Sequence, residues 1–200
     1  MTMLALQDEM NTRVHPQWRA QGNAWYRAIW VECAEMLDHY GWKWWKAQSP
    51  DMAQVELELI DIWHFGLSIE LETGDNYETI AERLNTAFDL APSYQQTLPE
   101  AIEAFTHNTL SSKQFDLHGF VHLLQLISLP FSELFSRYVA KNVLNLFRQD
   151  HGYKEGHYQK LWQGKEDNVH LMEILADLPS QELSKERIYE QLEQRYQSLV

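Results

Sequence analysis

The chain is poor in cysteine, glycine and proline. Its single cysteine, Cys33, excludes an intramolecular disulfide and favours a reducing, cytoplasmic location. The 200 residues include 8 glycines and 6 prolines, which are few for an all-β or α/β protein of this length. The sequence therefore predicts an all-α fold, and the length suits one helical-bundle domain spanning residues 1–200.

Long apolar runs and basic residues are also scarce. No apolar run reaches the ~18 residues of a membrane span, and residues 1–13 lack the features of a signal peptide. The chain has 16 Lys and Arg against 29 Asp and Glu, a net charge of −13. Nonspecific binding to duplex nucleic acid needs a basic face. We therefore expect neither nucleic acid nor a membrane as a partner.

Apolar periodicity and boundary signals predict helices along most of the chain. The predicted helices cover about 3–13, 18–39, 52–73, 77–87, 99–107, 115–128 and 131–150, with one or two more from Val169 to the end. His15-Pro16 and Ser49-Pro50-Asp51 mark turns or helix starts. Loops are predicted around Pro92 and over residues 151–168.

Two of these helices each carry a pair of carboxylates three residues apart. The first pair is Glu32 and Glu35, and the second is Glu58 and Asp61. Residues at this spacing share a helix face, so two antiparallel helices would bring the four carboxylates together. Such crowded charges need a counter-charge, and Mg²⁺ prefers oxygen ligands. The pattern predicts a metal site.

The helix at 52–73 is apolar almost all round. At ~100° per residue, one stripe of five residues falls within ~40° of one line, and Glu56 and Glu70 near the ends are exceptions to the apolar remainder. The stripe contains Glu58, Asp61, Phe65, Ser68 and Glu72. A helix that is apolar nearly all round is buried, so the stripe is predicted to face an internal cleft. The Glu32 pair is less decisive, because its neighbours spread over an arc typical of a solvated face.

A cationic stripe follows on the helix at 131–150. Arg137, Lys141, Asn145 and Arg148 fall within ~40° of one line. Three lysines continue in the next loop, namely Lys154, Lys160 and Lys165. Either these groups pair with surface carboxylates, or they bind polyphosphate oxygens. Hydrolysis of a nucleotide polyphosphate needs both a metal site and such cations.

Four stretches of the chain, in order, resemble the dimeric, all-α dUTP diphosphatases of the MazG-like pyrophosphohydrolase superfamily. They are LALQDEMN (4–11), WVECAEMLDHYGWKWWK (30–46), ELELIDIWHF (56–65) and YVAKNVLNLFRQDHGYKEGHYQKLWQGKEDN (138–168). Residues 74–114 have no such match, and we expect a variable insertion there. The resemblance implies a homodimer that hydrolyses dUTP, with dUDP as a further substrate, using two or more Mg²⁺ ions per site.

The resemblance also implies roles for individual residues. The metal ligands would be Glu32, Glu35, Glu58 and Asp61, and Glu35 would also orient or deprotonate the attacking water. The phosphate-binding residues would be Lys141, Asn145, Arg148, Tyr153, Lys154 and Lys165. The base-binding residues would be Gln7, Asn11, Trp44 and Phe65.

Two other functions remain open at this point. One is a nucleoside triphosphate pyrophosphohydrolase with broader base choice, which a panel of nucleotides would reveal. The other is a nonenzymatic helical interaction protein whose acidic stripe binds a basic partner. Stabilisation by a nonhydrolysable dUTP analogue that depends on Mg²⁺ would count against the second.

Overall fold

A computed structural model describes residues 1–90, 95–178 and 184–197. Within them the chain forms nine α-helices and one short β-hairpin, which confirms the predicted all-α fold. The helices are α1 (Thr2–Val14), α2 (Trp25–Tyr40), α3 (Met52–Glu72), α4 (Tyr77–Asp89), α5 (Leu98–Ser112), α6 (Leu117–Leu126), α7 (Phe131–Asp150), α8 (Asp167–Asp177) and α9 (Lys185–Gln197). A 3₁₀ turn (Trp18–Ala20) precedes α2, and strands β1 (Leu161–Trp162) and β2 (Lys165–Glu166) precede α8.

Helices α2 and α3 form the central antiparallel pair. At one end the Asp51 N–H donates to the carbonyl of His39 over 2.9 Å. At the other end Trp25 Nε1 donates to Glu72 Oε1, also over 2.9 Å. The Asp51 side chain caps α3 by accepting from the Gln54 N–H. This pairing places the middle of α2 opposite the Glu58 turn of α3.

The first of two core clusters surrounds α3, which is buried on nearly every side, as its sequence predicts. Ile60, Trp63 and Leu67 have no exposed surface. The Trp63 ring stacks on that of Phe120 from α6, with the centroids 5.0 Å apart. Gly66 lies against Phe115, so close that an added Cβ would lie 2.7 Å from the ring. The core thus holds α3 on all sides except its polar stripe.

A second core cluster lies between α7, the hairpin, α8 and α9. Its centre is Phe147 and Trp162, both fully buried, with ring centroids 5.8 Å apart. Trp162 Nε1 donates to the Gln159 carbonyl over 2.7 Å, which anchors the hairpin. The first half of α7 contributes Leu134 and Tyr138 to the other cluster. Helix α7 therefore joins the two cores.

Several helix boundaries differ from the sequence prediction. The helix predicted at 18–39 begins only at Trp25, because a 3₁₀ turn and Gly22, at φ 61°, interrupt it. The helix predicted at 99–107 is longer, Leu98–Ser112, and that predicted at 115–128 is shorter, Leu117–Leu126. The predicted α7 bounds are confirmed.

The stretch 151–168 was predicted to be a loop, but it contains the β-hairpin. Leu161 pairs with Glu166 and Trp162 with Lys165. The two turn residues, Gln163 and Gly164, have φ of 51° and 80°, the conformation that two-residue hairpins favour.

The final helical region is two helices, α8 and α9. The loop predicted around Pro92 lies outside the described residues. No described helix could span a membrane.

Candidate metal and nucleotide site

A cavity of about 890 Å³ opens between α1, α2, α3, α7 and the start of α8. Eleven of the predicted site residues line it: Gln7, Asn11, Glu32, Glu35, Glu58, Asp61, Phe65, Lys141, Asn145, Arg148 and Tyr153. Three predicted site residues, Trp44, Lys154 and Lys165, do not. Of the predicted α3 stripe, Glu58, Asp61 and Phe65 face this cleft, whereas Ser68 and Glu72 do not line it.

Three carboxylates on facing turns of α2 and α3 form what we call the acidic cluster. Glu32, Glu58 and Asp61 each present an oxygen, and these oxygens all lie within 4.8 Å of one another. Burial raises the pKa of Glu32 to about 9, and the charges of Asp61 and Glu58 add to the effect. Burial also raises the pKa of Glu58. The raised pKa values mean that the surrounding protein does not supply enough positive charge to balance three ionised carboxylates.

The donor set of this cluster fits a hard divalent cation. All three ligands are carboxylate oxygens, which Mg²⁺ prefers over nitrogen or sulfur. Glu35 is exposed and lies outside the group of three, but it lines the cavity and its charge also raises the pKa of Glu32. His39 Nε2 lies 3.4 Å from Glu58 Oε1. The residues present would suit Mg²⁺.

Lys141 links the acidic cluster to the other side of the cavity. Its side chain is only 2% exposed, and its Nζ donates to Asp61 Oδ2 over 2.8 Å. The same Nζ donates to Asn168 Oδ1 over 2.9 Å. A lysine buried to this degree needs such partners to stay charged. Asp61 therefore faces the other carboxylates and a fixed cation at once.

Arg148 is held by a buried carboxylate. Its Nε and Nη2 both donate to Asp167, each over 2.8 Å, while Nη1 donates to Asn145 Oδ1 over 3.1 Å. Asp167 has no exposed surface and also accepts from Tyr158. Burial would raise the pKa of Asp167, but the hydrogen bonds from Arg148 outweigh it and lower that pKa. The two hydrogen bonds to Asp167 fix the guanidinium beside Asn168, whose Oδ1 lies 3.4 Å from Nη2.

The remaining predicted cations bind other parts of the protein. Lys154 Nζ donates to the carbonyl of Val14 over 2.9 Å. Lys165 pairs with Glu173 over 2.6 Å, outside the cavity. Arg137 pairs with carboxylates on α3 and on its own helix. The part of the stripe that reaches the cavity is therefore Lys141, Asn145 and Arg148, and the phosphate roles of Lys154 and Lys165 stay predictions.

The opposite end of the cavity is built from amides and aromatic rings. Gln7 Nε2 and Asn11 Nδ2 both donate to Ser68 Oγ, over 3.1 and 3.0 Å. Gln7 Nε2 also donates to Asn11 Oδ1 over 3.0 Å. Phe65 stacks with Trp25 at a centroid distance of 6.2 Å. A flat ring could lie here between aromatic faces and fixed polar groups.

Trp44 lies in the connection between α2 and α3, away from this cavity. It is 89% exposed and contacts Trp45, which is 58% exposed. The ring beside Phe65 in this structure is that of Trp25, and the base-binding role of Trp44 stays a prediction. The sequence prediction missed Trp25 because it placed this residue inside a longer helix. Asp167 and Asn168 were missed because their contacts depend on the hairpin.

A family model described as dUTPase matches residues 1–153, about three quarters of the chain. The chain belongs to the dimeric, all-α dUTPase family. Membership indicates that it is a dUTP diphosphatase. The match covers the acidic cluster, Lys141 and Arg148, whereas Asp167 and Asn168 lie beyond it. No curated protein matched the chain significantly.

Proposed function

We propose that the chain hydrolyses dUTP to dUMP and pyrophosphate, and accepts dUDP, by attack of a metal-bound water. The supporting observation is that the acidic cluster and the buried Lys141 meet on one cavity wall, joined by the 2.8 Å contact between Lys141 and Asp61. One wall can therefore bind cations, and the adjoining wall can bind phosphate.

Glu32, Glu35, Glu58 and Asp61 would hold two or more Mg²⁺ ions. Bound Mg²⁺ neutralises phosphate charge and lowers the pKa of a coordinated water. Glu35 is exposed on the cavity wall and outside the compact group of three. We propose that it orients a water and accepts its proton, the role of a general base.

The phosphate chain would lie against Lys141, Asn145 and Arg148. The Lys141 ammonium has three hydrogens and uses two, on Asp61 and Asn168. Arg148 has five N–H groups, of which four point at protein oxygens. Each cation thus retains a donor for a phosphate oxygen.

Three further residues would close over the phosphates. Tyr153 already lies beside Arg148: the guanidinium carbon of Arg148 is 5.8 Å from the centroid of the Tyr153 ring. Lys154 and Lys165 would exchange their present partners for phosphate oxygens. At the base, Gln7 and Asn11 would provide the polar edge and Phe65 an apolar face, with Trp44 covering the ring.

We also propose that the chain is a homodimer of single-domain subunits. Trp44 and Trp45 form an exposed aromatic patch with Trp42, which is 46% exposed and contacts the Trp45 ring. Contiguous exposed aromatic surface is typical of an interface. The molar mass from light scattering should be twice that of one chain, and a monomer at assay concentration would contradict the proposal.

The cytoplasmic location remains an expectation from the lone Cys33.

The decisive experiment is hydrolysis of a nucleotide panel with Mg²⁺ and with EDTA. We expect dUTP to be preferred and EDTA to abolish turnover. Asp61→Asn should lower kcat by more than ~100-fold, as losses of metal or transition-state ligands commonly do. The matched control is Glu56→Gln, which removes a carboxylate of the same helix that pairs with Arg137. Equal turnover in both variants would refute the metal assignment.

A further inference from the structure

Tyr158, in the connection between α7 and the hairpin, donates a hydrogen bond to the carboxylate that holds Arg148. Its hydroxyl lies 2.8 Å from Asp167 Oδ2. Burial, and after it the charge of Asp167, raises the pKa of Tyr158, so the hydroxyl keeps its proton at neutral pH. An ionised carboxylate can only accept. The phenol is therefore a donor to Asp167.

Asp167 uses both of its oxygens on Arg148. Oδ2 accepts from Nε and Oδ1 accepts from Nη2, each over 2.8 Å. The last torsion of an aspartate is soft, and rotation about it would break this two-point contact. Tyr158 binds one of the two oxygens from a separate segment of the chain. Its hydrogen bond therefore opposes rotation of the carboxylate.

The carboxylate in turn orients Arg148. A guanidinium is planar, so the plane that Asp167 fixes also fixes the direction of every other N–H of the group. One Nη1 hydrogen is donated to Asn145 Oδ1 over 3.1 Å. The other Nη1 hydrogen is the donor that remains for a phosphate oxygen. Its direction depends on Asp167, and through Asp167 on Tyr158.

Helix α9 holds Tyr158 through Tyr196. The two rings stack, with centroids 5.5 Å apart and an angle of 16° between their planes. The Tyr196 hydroxyl accepts from the backbone N–H of Gln159 over 3.3 Å. One side chain of α9 thus contacts both the ring of Tyr158 and the backbone next to it. No described residue of α9 itself lines the cavity.

We propose that Tyr158 is a positioning residue for phosphate binding, which acts through Asp167 on Arg148. Tyr196 holds the Tyr158 ring, so α9 contributes to turnover without touching the substrate. The inference rests on the proposed hydrolysis of dUTP, in which Arg148 binds a phosphate. Family membership does not imply it, because Tyr158, Asp167 and Tyr196 lie beyond the matched residues 1–153.

The first test observes Arg148 directly, without metal or nucleotide. ¹H–¹⁵N NMR spectra of the arginine Nε–H groups should contain a slowly exchanging Arg148 signal, assigned by its loss in Arg148→Lys. Tyr158→Phe keeps the ring and removes the hydroxyl. Exchange of the Arg148 Nε hydrogen should then be at least about 10-fold faster, the factor expected when a hydrogen bond to a charged group is lost. Unchanged exchange would overturn the proposal.

Tyr189→Phe is the matched control. Tyr189 also packs against the second core cluster, and its hydroxyl donates to a carboxylate, Asp150 Oδ2, over 2.9 Å. That carboxylate does not hold Arg148. The Arg148 signal should therefore exchange as in wild type. An equal acceleration in Tyr189→Phe would show a general loosening of the cluster and would overturn the specific role of Tyr158.

The second test separates positioning from stability. Tyr158→Phe should lower kcat for dUTP by about 10-fold or more, the effect of one weakened charge-assisted hydrogen bond. The dissociation constant and the number of sites for dUMP, which lacks the outer phosphates, should stay at wild-type values. A fall in the number of dUMP sites that matches the fall in kcat would indicate loss of fold and overturn the proposal. Wild-type kcat would also overturn it.

The third test concerns α9. Tyr196→Leu removes both the stacked ring and the acceptor for the Gln159 N–H, and it should accelerate Arg148 exchange and lower kcat in the same direction as Tyr158→Phe. Tyr196→Phe removes the acceptor alone and should show a smaller change, with the fold of α9 kept. Wild-type exchange and kcat in both Tyr196 variants would refute the role of α9.

Failure of the proposed function is distinguishable from failure of this inference. If the wild-type protein does not hydrolyse dUTP, the proposed function is wrong. The Arg148 spectra of wild type, Tyr158→Phe and Tyr189→Phe still decide whether the phenol orients the guanidinium, because they need neither substrate nor metal.

Discussion

Glu32 retains its proton at neutral pH in the metal-free protein. Burial and the charges of Asp61 and Glu58 raise its pKa to about 9, well above the ordinary value of 4.5. The folded chain then binds more protons than the unfolded chain between these two values. Its stability therefore falls as the pH rises through this window. The acidic cluster is thus a source of instability until a cation compensates it.

This linkage predicts the behaviour of Glu32→Gln. A glutamine resembles the protonated carboxyl, so the variant should match wild type near pH 4.5 and be more stable at pH 8 in EDTA. For a chain of this size the melting temperature rises by about 2–4 °C per kcal/mol relieved. Thermal unfolding at both pH values measures the effect. Glu56→Gln should show no such pH-dependent gain, and a similar gain there would contradict the explanation.

Arg148 and Asp167 provide a second prediction at the same scale. Arg148→Ala leaves the fully buried Asp167 without its two hydrogen bonds from the guanidinium. Removing one partner of a buried pair costs about 3–5 kcal/mol. Asp167→Asn in the same chain should recover much of that loss, because no charge is then stranded. Urea unfolding gives the three free energies.

The same variants separate stability from catalysis. Arg148→Ala with Asp167→Asn should remain slow on dUTP even when its fold is restored, because the cation beside the phosphates is missing. A double variant as unstable as the single one would show that the pair does not act as a unit. Wild-type turnover in the double variant would place phosphate binding elsewhere.

At the scale of elements, the tight approach of α3 to the rest of the core makes Gly66 sensitive. A Cβ at this position would lie 2.7 Å from the Phe115 ring. Alanine favours a helix by about 1 kcal/mol over glycine, but overpacking costs about 1–3 kcal/mol. Gly66→Ala should therefore lower the melting temperature despite its better helix propensity. Adding Phe115→Leu should recover part of the loss, and a stabilised single variant would contradict the packing argument.

The elements that sequence predicts well are those fixed by local pattern. Helix α7 has the predicted bounds, and the acidic stripe of α3 was found because i, i+3 spacing depends only on helix geometry. The hairpin was missed, since two-residue strands carry no periodicity and its turn uses Gln163 at positive φ. The predicted helix at 18–39 starts too early. Gly22, which interrupts the chain before α2 begins at Trp25, is a weaker stop signal in a sequence than a proline.

The candidate site also divides into residues that a local pattern predicts and residues whose contacts depend on distant parts of the chain. The carboxylates and Lys141 could be predicted because each lies on a regular helix face. The partners of the cations, Asp167 and Asn168, could not, because contacts over 19 to 27 residues depend on how the hairpin folds back. The phosphate roles of Lys154 and Lys165 come from their charge and from the family resemblance, and they stay predictions, because neither argument tells a phosphate ligand from a lysine paired with its own protein.

At the scale of the whole molecule, α7 has residues in both core clusters. Leu134 and Tyr138 belong to the first, and Val143 and Phe147 to the second. A shared helix couples the two, so we expect one cooperative unfolding transition. Far-UV circular dichroism and tryptophan fluorescence should give the same urea midpoint. Two separate midpoints would mean that the clusters form distinct units and would refute the single-domain proposal.

The dependence of Lys141 and Arg148 on Asn168 and Asp167 has a consequence for the order in which a ribosome completes the protein. A nascent chain that has emerged as far as Asp150 already contains every carboxylate of the acidic cluster and both cations. It lacks the two side chains that hold those cations against the cavity. The nascent chain can therefore assemble its carboxylates first, and its phosphate-binding wall only after the hairpin and the start of α8 have been synthesised.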